Sequence, residues 1–301
     1  MTAAGDEMRV DLFSTLWSAS ENKPYDEMRE TEIVRARFAS LLPFIEEQAL
    51  FAQKEGRRLR VLDFGCADGH TAEVILQPWI RDLDYFGSDL YPLEATASRL
   101  RARGFSVETS VGGAARLPAT WCELDCVLAL SCFQYIPDTD ETFAELVSRL
   151  RPGGLFVGYF YDAAPLRRVV DAHLRDVFGS VDDEESAGRI ASLQSFAELL
   201  ESLRNACDGQ EISVSQAVPQ LGVPEGSMPL QQFLMDYLIF AWAPKGADLP
   251  RIQWALAEML LTGPQVYLGP EEINRLLEAN ELEVGKHVSG PSGHLVIAKR
   301  S

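Results

Sequence analysis

Apolar positions recur along this chain with two periods, and the change of period divides it. Residues 27–53 place Val34, Phe38, Leu41, Leu42 and Ile45 on one helical stripe, with Pro43 set to kink it and a shorter helix expected ahead. Five short apolar segments follow, at 59–64, 84–88, 105–109, 124–130 and 155–161, separated by helical patterns at 70–77, 92–103 and 139–150. Strands apolar on both faces need a parallel sheet covered by helices on each side, so this block predicts a doubly wound α/β layer. Helix 139–150 is expected to stop at Arg151-Pro152-Gly153-Gly154, ahead of the fifth strand.

Beyond Tyr161 helical patterns dominate. Residues 165–178 bring Leu166, Val169, Val170, Leu174, Val177 and Phe178 to one face behind Pro165, and residues 182–185 form an acidic, solvated stretch. Ser195 and Glu198 have the spacing of a capping box, and helical signals recur at 229–241 and 250–261. A helix at 270–279, a strand near 282–288, a turn at 289–293 and a strand at 294–299 close the pattern. The expected organisation is an N-terminal helical lid at 1–57, a Rossmann-like ligand-binding domain from 58–161 and 266–301, and a mainly helical cap at 162–265.

Composition narrows the class of protein. Of 301 residues, 47% are hydrophobic and 24% charged, a globular balance that excludes a disordered chain or a coiled coil. With 27 basic against 45 acidic residues the net charge is −18, which repels nucleic acid and anionic lipid, so neither is an expected partner. No apolar run approaches the roughly 20 residues of a membrane span. The opening MTAAGDEMR lacks the basic-then-apolar pattern of a secretory signal, and the five cysteines are scattered, so a reduced, cytoplasmic protein is expected. Cys122, Cys126 and Cys132 have no second pair at metal-binding distance and are read as small buried residues; no metal is expected.

The sharpest chemical signal is Val61-Leu62-Asp63-Phe64-Gly65-Cys66-Ala67-Asp68-Gly69-His70, where the first strand turns into a helix. Two glycines let the backbone pass close to a ligand, and a helix start offers free N–H groups. The spacing is G-x-x-x-G rather than the G-x-G-x-x-G of a dinucleotide loop, which makes a nicotinamide cofactor a poor match. Asp89 ends the second strand, where a carboxylate can take both ribose hydroxyls.

In these features the chain resembles the class I S-adenosylmethionine-dependent methyltransferases. The resemblance rests on Val61–Gly69, Gly87-Ser88-Asp89, the segment from Leu124-Asp125-Cys126-Val127 to Ser131, Leu150-Arg151-Pro152-Gly153-Gly154 and the closing hairpin. It implies a seven-stranded sheet with the last strand antiparallel between the fifth and sixth, S-adenosyl-L-methionine as cofactor and S-adenosyl-L-homocysteine as product. By that resemblance Asp63 holds the methionine amino group, Gly65, Cys66 and Gly69 line the loop, Asp89 takes the ribose and Leu90 meets the adenine. Ser131 and Phe133 lie beside the methionine moiety. The chain departs from the pattern at Val111-Gly112-Gly113-Ala114-Ala115, where no acidic side chain is available for the adenine amino group, leaving Gly113 and Ala114 to offer backbone and apolar contact. Ala67 stands where relatives commonly carry glycine.

A sulfonium methyl is already electrophilic, so transfer asks mainly for alignment and exclusion of water, with a general base only for acceptors that must be deprotonated. Ligands of open α/β sheets bind beyond the strand C-termini, which points the acceptor toward Tyr135, Tyr161 and Asp162. Tyr161 reads equally as a substrate contact and as a strand-end polar residue. His173, on the apolar stripe of 165–178, reads either as a packing histidine or as the base. His70 is read as capping the loop, and His287 and His294 as structural. Trp17 and Tyr25 read as core or as residues closing over the cofactor. Phe233, Tyr237, Phe240 and Trp242 read as helix packing or as an acceptor pocket. The expected function is methylation, at oxygen or nitrogen, of a small apolar or aromatic molecule, by a monomer or homodimer. The alternative keeps the cofactor but replaces methyl transfer with a cyclisation, a rearrangement or a non-catalytic binding role.

Overall fold

The computed structural model describes residues 39–90, 92–179, 186–239, 266–290 and 293–301, together with Leu249, Ile252, Leu256, Met259 and Leu260. The expected lid residues 1–38, with Trp17 and Tyr25, lie outside the described residues, as do the acidic stretch 182–185, Phe240 and Trp242. In chain order the first elements are α1 (Leu42–Lys54), β1 (Leu59–Phe64), α2 (His70–Leu76), β2 (Leu83–Asp89), α3 (Glu94–Ala102), β3 (Ser106–Val111), β4 (Leu124–Leu130), α4 (Thr139–Ser148) and β5 (Leu150–Tyr161). Then come α5 (Pro165–Gly179), α6 (Ser186–Ala206), β6 (Glu211–Val214), β7 (Gly226–Pro229) and α7 (Leu230–Tyr237), and finally α8 (Pro270–Ala279), β8 (Leu282–Gly290) and β9 (Gly293–Arg300). Among the described residues two compact units result, one of residues 39–161 with 268–301, the other of the described residues within 162–267.

In the first unit seven strands form one sheet, ordered β3-β2-β1-β4-β5-β9-β8, with β9 antiparallel to both of its neighbours and the other neighbouring strands parallel. This is the doubly wound layout that the apolar segments demand. Val61, Leu62, Val127 and Leu128 at its centre are wholly buried, each contributing about 1.5–3 kcal/mol of apolar transfer. An aromatic cluster of Phe133, Phe143, Phe156 and Phe160 packs with ring centroids 4.7–6.4 Å apart.

The N-terminal edge of the sheet is tied by a buried carboxylate. Asp125, the second residue of β4, has no exposed surface and receives the fork of Arg57, with Nη2 donating at 2.7 Å, the Nε of Arg151, and the backbone N–H of Arg60 at 2.9 Å. Charge-assisted bonds from two chain segments, 57–60 and 151, onto one residue of β4 fix the starts of β1, β4 and β5 against each other.

Three local expectations are corrected. Pro43 lies in the first turn of α1, where its missing N–H costs nothing, so it starts a helix instead of kinking one. Pro152-Gly153-Gly154 lies inside β5, which already pairs at Leu150↔Leu124 and resumes at Leu155↔Cys126, so the extra residues bulge. A Cβ on Gly154 would stand 2.9 Å from the carbonyl oxygens of Leu124 and Arg151, which explains glycine there. Ser195 and Glu198 lie within α6 and do not cap it; Glu198 instead accepts from Gln194 at 3.2 Å.

The second unit is mainly helical. Leu193, Ala197, Leu200, Ile252, Leu256, Met259 and Leu260 form its core, with Leu174, Phe178 and Phe196 packed against them. It also contains a hairpin, β6 with β7, that the sequence pattern does not reveal.

Candidate active site

The loop between β1 and α2 is held open by its backbone. Gly65 and Gly69 both take φ +74°, a left-handed conformation natural to glycine, and Ala67 between them takes φ +48°. The N–H groups of Gly65 and Cys66 donate to Ser88 O at 2.8 and 3.1 Å, so the loop is anchored to the end of β2. Asp89 completes the anchor. Its Oδ2 accepts the Ala67 N–H at 2.8 Å, and its Oδ1 accepts the Leu90 N–H at 2.7 Å. A carboxylate selected from the sequence for its ligand chemistry thus also fixes the loop, a role that spacing alone does not show.

Neighbouring strands close in on the same edge. Gly112 N donates to Asp89 O at 2.8 Å and Ser88 Oγ donates to Gly112 O at 3.1 Å, bringing the end of β3 alongside. Gly113 has open space where a Cβ would stand, and Ala114 is buried at the start of a short 3₁₀ turn. From β4, Ser131 takes φ +66°, and Cys132 packs so closely that a Cβ on Gly65 would stand 2.5 Å from its own. Gln134 donates from Nε2 to Ser131 O at 2.7 Å, and its Oε1 is buried with no hydrogen-bond partner.

Asp63 lies beneath this loop, 2% exposed, and accepts a hydrogen bond from the Tyr85 hydroxyl at 2.9 Å. Burial pushes its carboxyl up to about 7; the Tyr85 bond opposes that, while Asp89 and Asp68 push it further up. Burial likewise raises the thiols of Cys66 and Cys132, with the charges of Asp63 and Asp89 adding to the effect. Both are neutral, unreactive groups near neutral pH.

The structure therefore gathers Asp63, Gly65, Cys66, Gly69, Asp89, Gly113, Ala114 and Ser131 at the C-terminal edge of one sheet. Leu90 follows Asp89 and is 45% exposed. Phe133 is 1% exposed, within the aromatic cluster. Tyr135 is half-buried after β4, and Tyr161, at the end of β5, meets Tyr159 edge to face at 5.4 Å. The histidines near the hairpin interact with each other: His294 is buried, with Nδ1 3.0 Å from Ser289 Oγ and 3.3 Å from His287 Nε2. His70 opens α2, its N–H donating to Asp68 Oδ1 at 3.1 Å.

The remaining candidates belong to the helical unit. Asp162 pairs with Arg168 and accepts the N–H of Ala163 at 2.6 Å. Tyr237 is half-buried on α7, its ring 5.3 Å from Phe233. His173 is exposed, contrary to its expected place on an apolar stripe. Arg167 and Asp171 occupy the buried edge of α5, with the Tyr267 hydroxyl donating to Asp171, while Val169 and Val177 face outward. A hydropathy pattern cannot register a buried ion pair, which is why the stripe misled. Among the described residues no group of three His, Cys, Asp or Glu side chains is placed to hold a metal, and no helix is long and apolar enough to cross a membrane.

A parallel sheet with one reversed strand next to its edge is the fold of the class I S-adenosylmethionine-dependent methyltransferases. Residues 61–154, about a third of the chain, match the model of a family described as a methyltransferase domain. Over 100 residues the chain is 32% identical to a trans-aconitate 2-methyltransferase of Rhizobium leguminosarum bv. trifolii. Over 99 residues it is 32% identical to a probable S-adenosylmethionine-dependent methyltransferase of Mycolicibacterium smegmatis. Each alignment covers 32% of this chain and 36% of the relative, so the chain matches little more than a third of the length of these proteins. Among solved structures, PKMT2 from Rickettsia typhi superposes with a TM-score of 0.52 at 13% identity, over 81% of this chain and 48% of that one, a likeness of fold.

Proposed function

We propose that the domain binds S-adenosylmethionine across the ends of β1, β2 and β4 and methylates a small, apolar or aromatic molecule at oxygen or nitrogen. The observation that carries this reading is the pair of carboxylates, Asp63 and Asp89, flanking one left-handed loop at the ends of adjacent strands. Asp89, Asp68 and burial all disfavour ionisation of Asp63, so an arriving ammonium removes a penalty already present in the protein. Gly65 and Gly69 leave backbone exposed for close approach. Each Asp89 oxygen accepts a backbone N–H, and a carboxylate has about four lone-pair sites, enough to accept from ribose hydroxyls as well.

When bound, the cofactor supplies a methyl group on a sulfonium, reactive without further activation. The chain's own contribution is then position. Asp63 and the loop Gly65, Cys66 and Gly69 orient the amino-acid end; Asp89 fixes the sugar; Leu90, Gly113 and Ala114 cover the base; Ser131 adjoins the methionine moiety. Tyr135 and Tyr161 are the acceptor contacts of the sheet. His173 is exposed, which favours acceptors that ionise without a general base.

The test incubates the full chain with methyl-labelled S-adenosylmethionine and a panel of phenols, aromatic amines and trans-aconitate. Formation of S-adenosylhomocysteine in step with labelled product supports the reading. A protein that binds the cofactor yet yields neither across the panel counts against methyl transfer.

A further inference from the structure

Asp63 and Tyr85 face the same side of the sheet but are not opposite each other. The register pairs Asp63 with Gly87 and Tyr85 with Val61. Side chains two residues apart on a strand share a face, so the Tyr85 ring must run along β2, past Gly87, to reach Asp63. It does so with both residues buried, its hydroxyl 2.9 Å from Oδ2. A Cβ on Gly87 would stand 3.0 Å from Tyr85 Cε1, 3.3 Å from its hydroxyl and 3.2 Å from Cys66 Sγ. Glycine at 87 therefore leaves the lane in which the ring lies, and Phe105 meets the ring edge to face at 6.1 Å.

We propose that Tyr85 is a positioning residue for the methyl donor: lying over Gly87, it grips one oxygen of Asp63 and holds that carboxylate ionised, its other oxygen turned to the donor's α-ammonium. The inference rests on the donor site proposed above. The surroundings of Asp63 make Tyr85 the decisive neighbour. From β2 come Tyr85 and the charge of Asp89; from the loop, Cys66 and the charge of Asp68; from beyond β4, Cys132. Burial and the two aspartates favour the protonated acid, and the phenol's hydrogen bond opposes them. Removing that bond lets the acid form persist to higher pH, so the ammonium loses its counter-charge where the native protein still offers one.

Calorimetry on the full chain between pH 6 and 7.5 tests this with two probes, S-adenosylhomocysteine and 5′-methylthioadenosine, which lacks the amino-acid end. If only the ionised fraction binds the ammonium, the native protein loses about eightfold in affinity for S-adenosylhomocysteine from pH 7.5 to 6. Its affinity for methylthioadenosine stays level. Tyr85→Phe should move the S-adenosylhomocysteine profile to higher pH, weakening binding about tenfold at pH 7, and spare methylthioadenosine; Asp63→Asn should give weak, pH-independent binding. If Tyr85→Phe fails to fold, Gly87→Ala, which crowds the ring's lane but keeps the hydroxyl, should displace the profile in the same direction. Equal weakening of both probes at every pH would mark Tyr85 as packing alone and overturn the proposal, as would an unmoved profile. Native protein that binds neither probe would instead defeat the donor site beneath it.

Discussion

Gly65→Ala offers the most quantitative test of how the first loop is built. The new methyl would stand 2.5 Å from Cys132 Cβ and 3.3 Å from its Sγ, on a backbone at φ +74°. The loop cannot drift away, because Gly65 and Cys66 both donate to Ser88 O and Ala67 donates to Asp89. Two costs arise: about 1–2 kcal/mol for an L side chain in left-handed backbone, and about 1–3 kcal/mol for overpacking, giving about 3 kcal/mol in all. Replacing Cys132 by alanine would keep the offending Cβ, so only Cys132→Gly relieves the clash. Denaturant unfolding of native protein, Gly65→Ala, Cys132→Gly and the double variant isolates that contact. Gly65→Ala should cost about 3 kcal/mol in the native background and only about 1–2 kcal/mol in the Cys132→Gly background, the conformational part alone. Additivity within about 0.5 kcal/mol would show that Cys132 yields freely and that the loop is not clamped between strands.

Further outcomes follow from other parts of the structure. Asp125→Asn leaves Arg57 and Arg151 facing an uncharged buried partner and should lower unfolding free energy by about 3 kcal/mol or more, measured in urea. Asp89→Ala should abolish S-adenosylhomocysteine binding and speed amide exchange at Ala67 and Leu90; exchange unchanged at both would deny its anchoring role. Ala67→Gly relieves a φ of +48° at some entropic cost to the unfolded chain, so stability should rise by no more than about 1 kcal/mol, and a clear loss would contradict the backbone described here. In thiol alkylation, exposed Cys122 should react first and buried Cys66 and Cys126 only on unfolding, as mass spectrometry of the modified chain would show.

The sheet was legible because its central strands are apolar on both faces. The limits 59–64 and 124–130 come directly from that pattern, with no tertiary information needed. The hairpin of β6 and β7 had no such signal: Gly226-Ser-Met-Pro229 has little strand preference and is extended only because Glu211–Val214 pairs with it. The helix α5 misled through burial of charge, since Arg167 and Asp171 read as polar positions while their mutual pairing lets them turn inward. At the candidate site the glycines and both carboxylates could be picked out from spacing. Tyr85 could not, because its role depends on register; a tyrosine two residues before a strand glycine, opposite a buried aspartate, is the signal that would have found it.

The reversed strand also bears on how the chain is made. β9 pairs with β5 along its length, yet roughly 130 residues separate the two in sequence, a long loop to close. During synthesis the apolar edge of β5 stays bare until the whole helical unit has emerged, an invitation to mispairing with neighbouring chains. Completion of the layer is thus a late, slow event, and a ribosome stalled before Gly293 would leave a partly formed domain for chaperones to guard.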